Sequence, residues 1–252
     1  MGVMPVASGA AAPWNSKVAL PVMRGLEGYF TFDTDSSRFG FNRAPGKKNA
    51  QITGAPLAFS GFGRFNGQLN FLTTDIVESA NQTIIVVGRA AAAVPANAPS
   101  ASQPVYVSNN YGTGVNPPYV GITATGVALY HPDNARTQGS GARDNGSGAA
   151  SSASVSVNST PADSWAIRAV RVTDTGVNIV KDLTTGAITF GTSSSARVLN
   201  NKTFRIGAGA IGNSGLVDIA AIMFLSVAST DAEMEILAGV MRMRMTRFGI
   251  AV

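Results

Sequence analysis

"TFRIGAGAIGNSGLVDIAAIMFLSVASTDAEMEIL", residues 203–237, changes character halfway along its length. It begins as short β-like pieces separated by glycines and then runs apolar from Leu216 to Val227. At Ser229 and Thr230 the pattern changes to that of a helix. The stretch therefore predicts a core strand that leads into one C-terminal helix.

The residues after this strand carry the signals of a helix at both ends. Thr230 can cap the helix, and Glu233 three residues later completes a capping box. Asp231, Glu233 and Glu235 lie in the first turns and Arg242, Arg244 and Arg247 in the last, as the helix dipole favours. One apolar stripe follows at spacings of three and four: Met234, Leu237, Met241, Met245 and Phe248. The stripe has two interpretations, packing on the chain's own strands or an adaptable surface for a partner.

The rest of the chain is rich in strand patterns. Residues 28–33, GYFTFD, alternate between two faces, and residues 82–90, QTIIVVGRA, form a continuous run typical of a strand buried on both faces. Turn signals recur about every eight to twelve residues, which favours a sandwich or barrel. Residues 132–153 are rich in glycine, serine and alanine, and we expect a loop that is mobile or ordered only by a partner.

Composition excludes several classes of function. The 252 residues include no Cys and one His, His131, so thiolate and multi-histidine metal sites are impossible. Charged residues make up 13%, against about 25% in ordinary soluble proteins. The net charge is +5, but the Lys and Arg residues are scattered, so we do not expect a nucleic-acid partner. No stretch reaches the roughly 18 apolar residues of a membrane span, and the N-terminus lacks the pattern of a signal peptide, so no membrane partner is expected.

The pieces described above, in this order, resemble the laminin-G-like jelly roll of the concanavalin A-like lectin/glucanase superfamily. The resemblance covers about residues 26–240 and includes the segments GYFTFD, FSGFGRFNGQLNFLTTD, QTIIVVGRA, SWAIRAVRVTDTGVNIVKDLTTG and the stretch quoted first. It implies an all-β, antiparallel jelly-roll sandwich over residues 26–228. An N-terminal arm over 1–25 and a C-terminal helix and tail over 229–252 would flank the sandwich.

The arm and the long helix also resemble bacteriophage structural proteins that carry this jelly roll, often tail or fibre components. That resemblance implies a non-enzymatic virion protein, assembled in the host cytoplasm, whose partners are other virion proteins and copies of itself in a homo-oligomer. A host-surface glycan is a further implied partner. Candidate assembly contacts are Trp14, Met241, Met245 and Phe248.

A glycan-binding, lectin-like module is the first alternative function. Aromatic side chains stack on sugar rings, and Asn and Asp hydrogen-bond sugar hydroxyls. The segment around VYVSNNYGTGVNPPYVG supplies such residues, and the predicted glycan site comprises Tyr106, Asn109, Asn110, Tyr111, Tyr119, Tyr130 and Asp133. The other interpretation of these tyrosines is that they are half-buried in strands.

A secreted polysaccharide-active enzyme is the second alternative. Glucanases of this superfamily use a Glu-x-Asp-x-x-Glu motif, and none of Glu27, Glu78, Glu233 and Glu235 stands in that spacing, so we expect no enzyme activity. Family members also bind calcium at a sandwich edge. Asp33, Asp35 and Asp218 are candidate Ca²⁺ ligands, with solvated turn carboxylates as the alternative. No other cofactor is expected.

Overall fold

A computed structural model describes residues 17–209 and 213–252. Within them two large antiparallel sheets face each other, and one α-helix covers the outer side of the first sheet. The predicted antiparallel jelly-roll sandwich with a C-terminal helix is confirmed. Trp14 and residues 1–16 of the predicted arm lie outside the described residues.

The elements follow one another along the chain in a simple order. They are β1 (Leu26–Thr31), β2 (Gln51–Thr53), β3 (Leu57–Phe59), β4 (Phe62–Asn66), β5 (Phe71–Val77), β6 (Gln82–Ala90), β7 (Val105–Ser108), β8 (Gly112–Thr113), β9 (Thr123–Ala124), β10 (Ala128–Tyr130), β11 (Arg136–Asp144), β12 (Ala150–Asn158), β13 (Ala166–Val172), β14 (Ile179–Asp182), β15 (Ile188–Phe190), β16 (Thr203–Ile206), β17 (Leu216–Leu225) and α1 (Asp231–Thr246). Sheet A has the order β15-β14-β13-β6-β17-β4-β3, with β1 also paired to β17. Sheet B has the order β12-β11-β10-β7-β16-β5-β2, and β8 and β9 form a separate pair.

Strand β17 is the centre of sheet A. It pairs with β6 on one side, and with β4 and β1 in succession on the other. Ile222 and Phe224 lie in the core between the sheets, whereas Met223 and Leu225 pack in the cluster that contains the helix. Because protein covers both faces of β17, its sequence is apolar on both faces instead of alternating, with the buried Asp218 as the exception.

Helix α1 begins at its predicted cap and packs on sheet A through its predicted apolar stripe. The Oγ1 atom of Thr230 accepts a hydrogen bond from the backbone N–H of Glu233, and the Glu233 carboxylate accepts one from the N–H of Thr230, so the capping box is confirmed. Met241 and Met245 are fully buried against sheet A, and Phe248 is half-buried beside Gly61. The prediction that these three contact a partner is therefore wrong for both methionines, because their side chains fill the space between the helix and its own sheet.

The prediction of a loop over residues 132–153 is also wrong. This segment contributes β11 and the start of β12, which pair without a break in register from Arg136↔Asn158 to Asp144↔Ala150. A Cβ atom added to Gly139 would lie 2.6 Å from Val180 and 2.7 Å from Val170. The glycines are therefore an adaptation of a strand to close packing between the sheets, and not a sign of a loop.

Across residues 17–209 and 213–252, no helix has the length and apolar character needed to span a bilayer.

Candidate functional site

The outer face of sheet B carries a continuous row of mostly polar residues. Residues directly opposite each other on neighbouring strands share a face. Followed across all seven strands, the pairing places on one row Ser154, Ser140, Ala128, Ser108, Arg205, Thr73 and Gln51. This row, on what we call the B face, therefore carries four hydroxyl groups, one amide and the guanidinium of Arg205.

A second row on the B face is held in place by hydrogen bonds. Ser156 donates to Gln138 over 3.1 Å, and the Gln138 amide donates to the Tyr130 hydroxyl over 2.6 Å. Tyr130 is half-buried, and burial raises the pKa of its phenol. The ring of Tyr130 is thus fixed on the face, and its hydroxyl can still donate to a ligand.

Tyr111 stands between two grooves on the B face. Its side chain is 57% exposed, which is a large exposure for an aromatic residue. The first groove has a volume of about 270 Å³ and lies over β10, β11 and β12; its walls include Gln103, Asn110, Tyr111, Thr125, Tyr130, Ser140 and Ser152. The second has a volume of about 320 Å³ and lies over β5 and β16; its walls include Thr73, Asn109, Asn110, Tyr111, Lys202, Thr203 and Arg205. Tyr111 and Asn110 belong to both grooves.

Two polar atoms of the first groove lack a hydrogen-bond partner. They are the amide oxygen of Asn110 and the hydroxyl of Thr125, and both atoms are buried. Buried polar atoms in folded proteins are nearly always paired, so such an exception calls for an explanation. A ligand that carries hydroxyl groups would satisfy both atoms.

The second groove is basic. Lys202 and Arg205 are both exposed, and the guanidinium carbon of Arg205 lies over the Phe71 ring, 5.2 Å from its centroid. Stacking on an aromatic ring restricts the arginine to one position while leaving its N–H groups at the edge free to donate. The groove therefore combines a positioned cation with the neutral groups of Thr73, Thr203 and Asn110.

The structure brings only some of the predicted glycan residues together. Asn110, Tyr111 and Tyr130 line the first groove, and Asn109 lines the second. Asn109 is buried and fastens two loops, since its side chain accepts from the N–H of Val127 over 2.6 Å and donates to Asn200 over 3.2 Å.

Three predicted residues lie away from both grooves. Tyr119 is buried in a small cluster beneath the segment that contains β8 and β9. Asp133 closes the turn before β11 by accepting hydrogen bonds from the backbone of Ala135 and from Arg136. Tyr106 is fully buried between the sheets. These three side chains make structural contacts and line neither groove of the B face.

Tyr106 belongs to a buried polar chain that also contains the only histidine. Arg168 donates to the Tyr106 hydroxyl over 3.3 Å, and that hydroxyl lies 2.9 Å from Nε2 of His131. The other ring nitrogen, Nδ1, lies 2.7 Å from the carbonyl of Arg136, which can only accept, so Nδ1 carries the proton. Burial and the nearby Arg168 charge hold the pKa of His131 well below its usual range, and burial raises the pKa of Tyr106 to about 12.

The predicted calcium ligands do not form a site. Asp33 accepts from Arg244 over 2.6 Å, Asp35 accepts from the N–H of Ser37 over 2.9 Å, and Asp218 is fully buried between Arg64 and Arg89. Each carboxylate is thus already engaged by the chain. Within the described ranges, no three His, Asp or Glu side chains are grouped so that they could hold a metal ion.

The glutamates are likewise committed to structural contacts. Glu78 is buried, accepts from the backbone N–H of Asn200 over 2.5 Å, and pairs with Arg197 over 3.3 Å. Burial raises the pKa of Glu78, and Arg197 opposes that shift. Glu27 pairs with Lys47, while Glu233 and Glu235 lie on α1. None of the four glutamates lines either groove of the B face.

Four residues of the grooves are not predicted from the sequence: Lys202, Arg205, Thr73 and Thr125. A local signal for Arg205 exists, because TFRI in β16 alternates and places Arg205 opposite to the buried Phe204 and Ile206. No local signal indicates that Arg205 lies beside Tyr111, because the two residues come from distant parts of the chain.

Comparison with known proteins defines the fold. No protein-family model and no curated protein matches the sequence. Among solved structures, the binding domain of botulinum neurotoxin DC in complex with SialylT matches with a TM-score of 0.60 at 9% identity, over 86% of this chain and 52% of that chain. The same neurotoxin domain in complex with rat synaptotagmin II gives a TM-score of 0.59 at 10% identity, over 86% and 51% of the two chains.

A second group of similar structures comes from an enzyme. Trypanosoma rangeli sialidase in complex with sialic acid matches with a TM-score of 0.55 at 13% identity, over 90% of this chain and 34% of that chain. The chain thus spans about half the length of the toxin domains and about a third of the sialidase. At such low identities the likeness establishes the architecture alone: the chain has an all-β sandwich fold like part of these toxin binding domains and of the sialidase.

Proposed function

We propose that this protein is a non-enzymatic carbohydrate-binding module that holds an acidic glycan on the B face. The observation that carries the proposal is the exposed ring of Tyr111 between two grooves, one with unpaired polar atoms and one with the stacked cation of Arg205 and the exposed Lys202. Solved structures with the same fold include a toxin binding domain in complex with SialylT and a sialidase in complex with sialic acid, which supports an acidic sugar as the ligand class.

Each groove would bind a different part of the glycan. A pyranose ring packs its C–H face on an aromatic side chain, and Tyr111 offers such a surface. In the first groove, sugar hydroxyls would donate to the Asn110 amide oxygen and exchange a hydrogen bond with Thr125. In the second, the carboxylate of an acidic sugar would accept from Arg205 with Lys202 nearby, and charge-assisted hydrogen bonds of this kind are the stronger ones.

A glycan array probed with the full chain and three variants tests this proposal. Tyr111→Ala removes the stacking surface, and we expect about tenfold weaker binding because one aromatic contact contributes about 1 kcal/mol. Tyr111→Phe keeps the ring and should retain most of the binding. Arg205→Gln should weaken acidic glycans and leave neutral ones unchanged.

The matched control for the array is Val120→Ala, which alters an exposed side chain that lines neither groove. Its binding should equal that of the parent protein. Binding that is indifferent to Tyr111→Ala, or a complete lack of glycan binding by the parent protein, would contradict the proposal.

We also propose, on the sequence resemblance, that the module belongs to a bacteriophage particle as a tail or fibre component. The low content of charged residues and the layered sandwich support a role in assembly, since few charges must be desolvated at contacts with other proteins. Such a component would bind the host surface through the B face. The neighbouring genes provide the test: tail or capsid genes beside this one are expected, and a neighbourhood of polysaccharide-degrading enzymes would contradict the proposal.

A further inference from the structure

Helix α1 has a second apolar stripe on the side that faces away from sheet A. Ala232, Ile236, Gly239 and Met243 follow one another at spacings of four, three and four, so they lie on one side of the helix. The buried residues Met234, Leu237, Met241 and Met245 occupy the opposite side. We call the first set the outer stripe.

The outer stripe is accessible in the described chain. Ile236 is 47% exposed and Met243 is 66% exposed, the latter sharing the highest value among the large apolar side chains described. A Cβ atom added at Gly239 would have no neighbour within 4 Å. Large apolar side chains on a helix that is already packed on its other side indicate an interaction surface.

No contact within the described chain explains why residue 239 is a glycine. Glycine in the middle of a helix costs stability relative to alanine, and the space around Gly239 would admit an alanine. A glycine between two exposed apolar residues does allow another helix to approach closely. The glycine at this position therefore suits close packing against a helix from outside the chain.

The charges on α1 identify what could pack there. The acidic residues Asp231 and Glu235 lie before Gly239, and the basic residues Arg242 and Arg247 lie after it. Within its own chain Glu235 pairs with Lys181 over 3.0 Å and lies 3.8 Å from Arg242, and the Glu235 and Arg242 side chains are still 45% and 34% exposed. A second α1 that runs antiparallel, with its Gly239 opposite the first, extends these pairs by bringing Glu235 of each copy beside Arg242 of the other. A parallel copy would instead place acidic residues against acidic residues.

We propose that the outer stripe of α1 is a two-fold dimer contact, in which α1 packs antiparallel against α1 of a second copy with Gly239 at the axis. The contact is isologous, because the same residues of each copy serve both sides. Since α1 covers sheet A, the B faces of the two copies would point outward on opposite sides of the dimer. Four apolar residues per copy form a small interface, so the dimer should be of moderate affinity and concentration-dependent.

Light scattering coupled to size exclusion, over about 1 to 200 µM, tests the dimer. We expect the parent protein to approach twice the monomer mass at the upper end, and Met243→Glu to remain a monomer throughout. Val120→Glu introduces the same charge at a comparably exposed site elsewhere and should dimerise like the parent. Circular dichroism confirms that each variant is folded. A parent protein that stays monomeric, or a Met243→Glu variant that still dimerises, overturns the proposal.

Cysteine cross-linking tests the antiparallel register, because the natural sequence has no cysteine. Two Gly239→Cys side chains would meet at the axis and form a disulfide on mild oxidation. Two Ala232→Cys side chains would lie about 20 Å apart in an antiparallel pair, beyond the reach of about 7 Å between Cα atoms. We therefore expect a linked dimer for Gly239→Cys alone. Linkage of Ala232→Cys to the same extent would overturn the antiparallel arrangement.

Discussion

At the scale of single residues, burial selects one protonation state for His131. Its Nδ1–H donates to a backbone carbonyl, and its Nε2 accepts from Tyr106, which in turn accepts from Arg168. An imidazolium would place a proton on Nε2 against the Tyr106 hydroxyl and a second positive charge beside Arg168. The folded protein therefore keeps this ring neutral, and its pKa lies well below the usual range.

This protonation state makes stability depend on pH. In the unfolded chain His131 takes up a proton below its ordinary pKa of about 6.5, whereas in the folded chain it stays neutral. The unfolded state then binds more protons, so the free energy of unfolding falls as the pH drops below about 6.5, by at most about 1.4 kcal/mol per pH unit. Urea unfolding at pH 7.0, 6.0 and 5.5 measures this slope. His131→Gln should flatten it, and an unchanged slope in that variant would contradict the assignment.

At the scale of elements, local signals predicted the helix and failed for one hairpin. The capping box and the apolar stripe of α1 are patterns among near neighbours, so the sequence could define the start of the helix. Strands β11 and β12 could not be identified in this way, because Gly139 and Gly141 are selected by contacts with residues of β13 and β14 that follow later in the chain. A strand that is this rich in glycine and serine has the same composition as a loop.

Substitution in this hairpin measures how closely the sheets pack. Gly139→Ala would place a methyl group 2.6 Å from Val180 and 2.7 Å from Val170, so the side chains would have to shift. We expect a loss of about 1–3 kcal/mol in the free energy of unfolding, the usual effect of overpacking a core. Ser154→Ala, on the exposed face of the same hairpin, should change stability by less than about 0.5 kcal/mol. Equal effects of the two substitutions would show that residues 136–158 are not packed as described.

The cap of α1 gives an independent test at the same scale. Thr230→Ala removes one half of the capping box and should lower the free energy of unfolding by about 1 kcal/mol, measured by urea unfolding at pH 7. Thr230→Ser keeps the hydroxyl and should behave like the parent. Hydrogen bonds from Arg24 and from Thr230 lower the pKa of Glu233 to about 2, so the carboxylate half of the box stays charged at any pH above that value. A Thr230→Ala variant as stable as the parent would contradict this cap.

At the scale of the whole molecule, the sequence predicted the sandwich but only part of the candidate site. Runs such as 82–90 and 216–225 are long and apolar enough to indicate buried strands, and the turn signals between them favour two antiparallel sheets. The grooves arise where Thr73, Tyr111 and Arg205 meet on the B face, and their proximity depends on the strand order of sheet B. Local sequence could not separate exposed Tyr111 from buried Tyr106 and Tyr119, because the burial of Tyr106 and Tyr119 depends on residues far along the chain, such as Arg168 and Val198.

The central claim is that the B face binds an acidic glycan at Tyr111. A crystal structure of the full chain with the oligosaccharide that binds best on the array tests it most directly. We expect a sugar ring stacked on Tyr111, with its carboxylate hydrogen-bonded to Arg205 and a hydroxyl within reach of the Asn110 amide oxygen. A sugar bound on the outer side of sheet A, or one that leaves Tyr111 uncovered, would contradict the account.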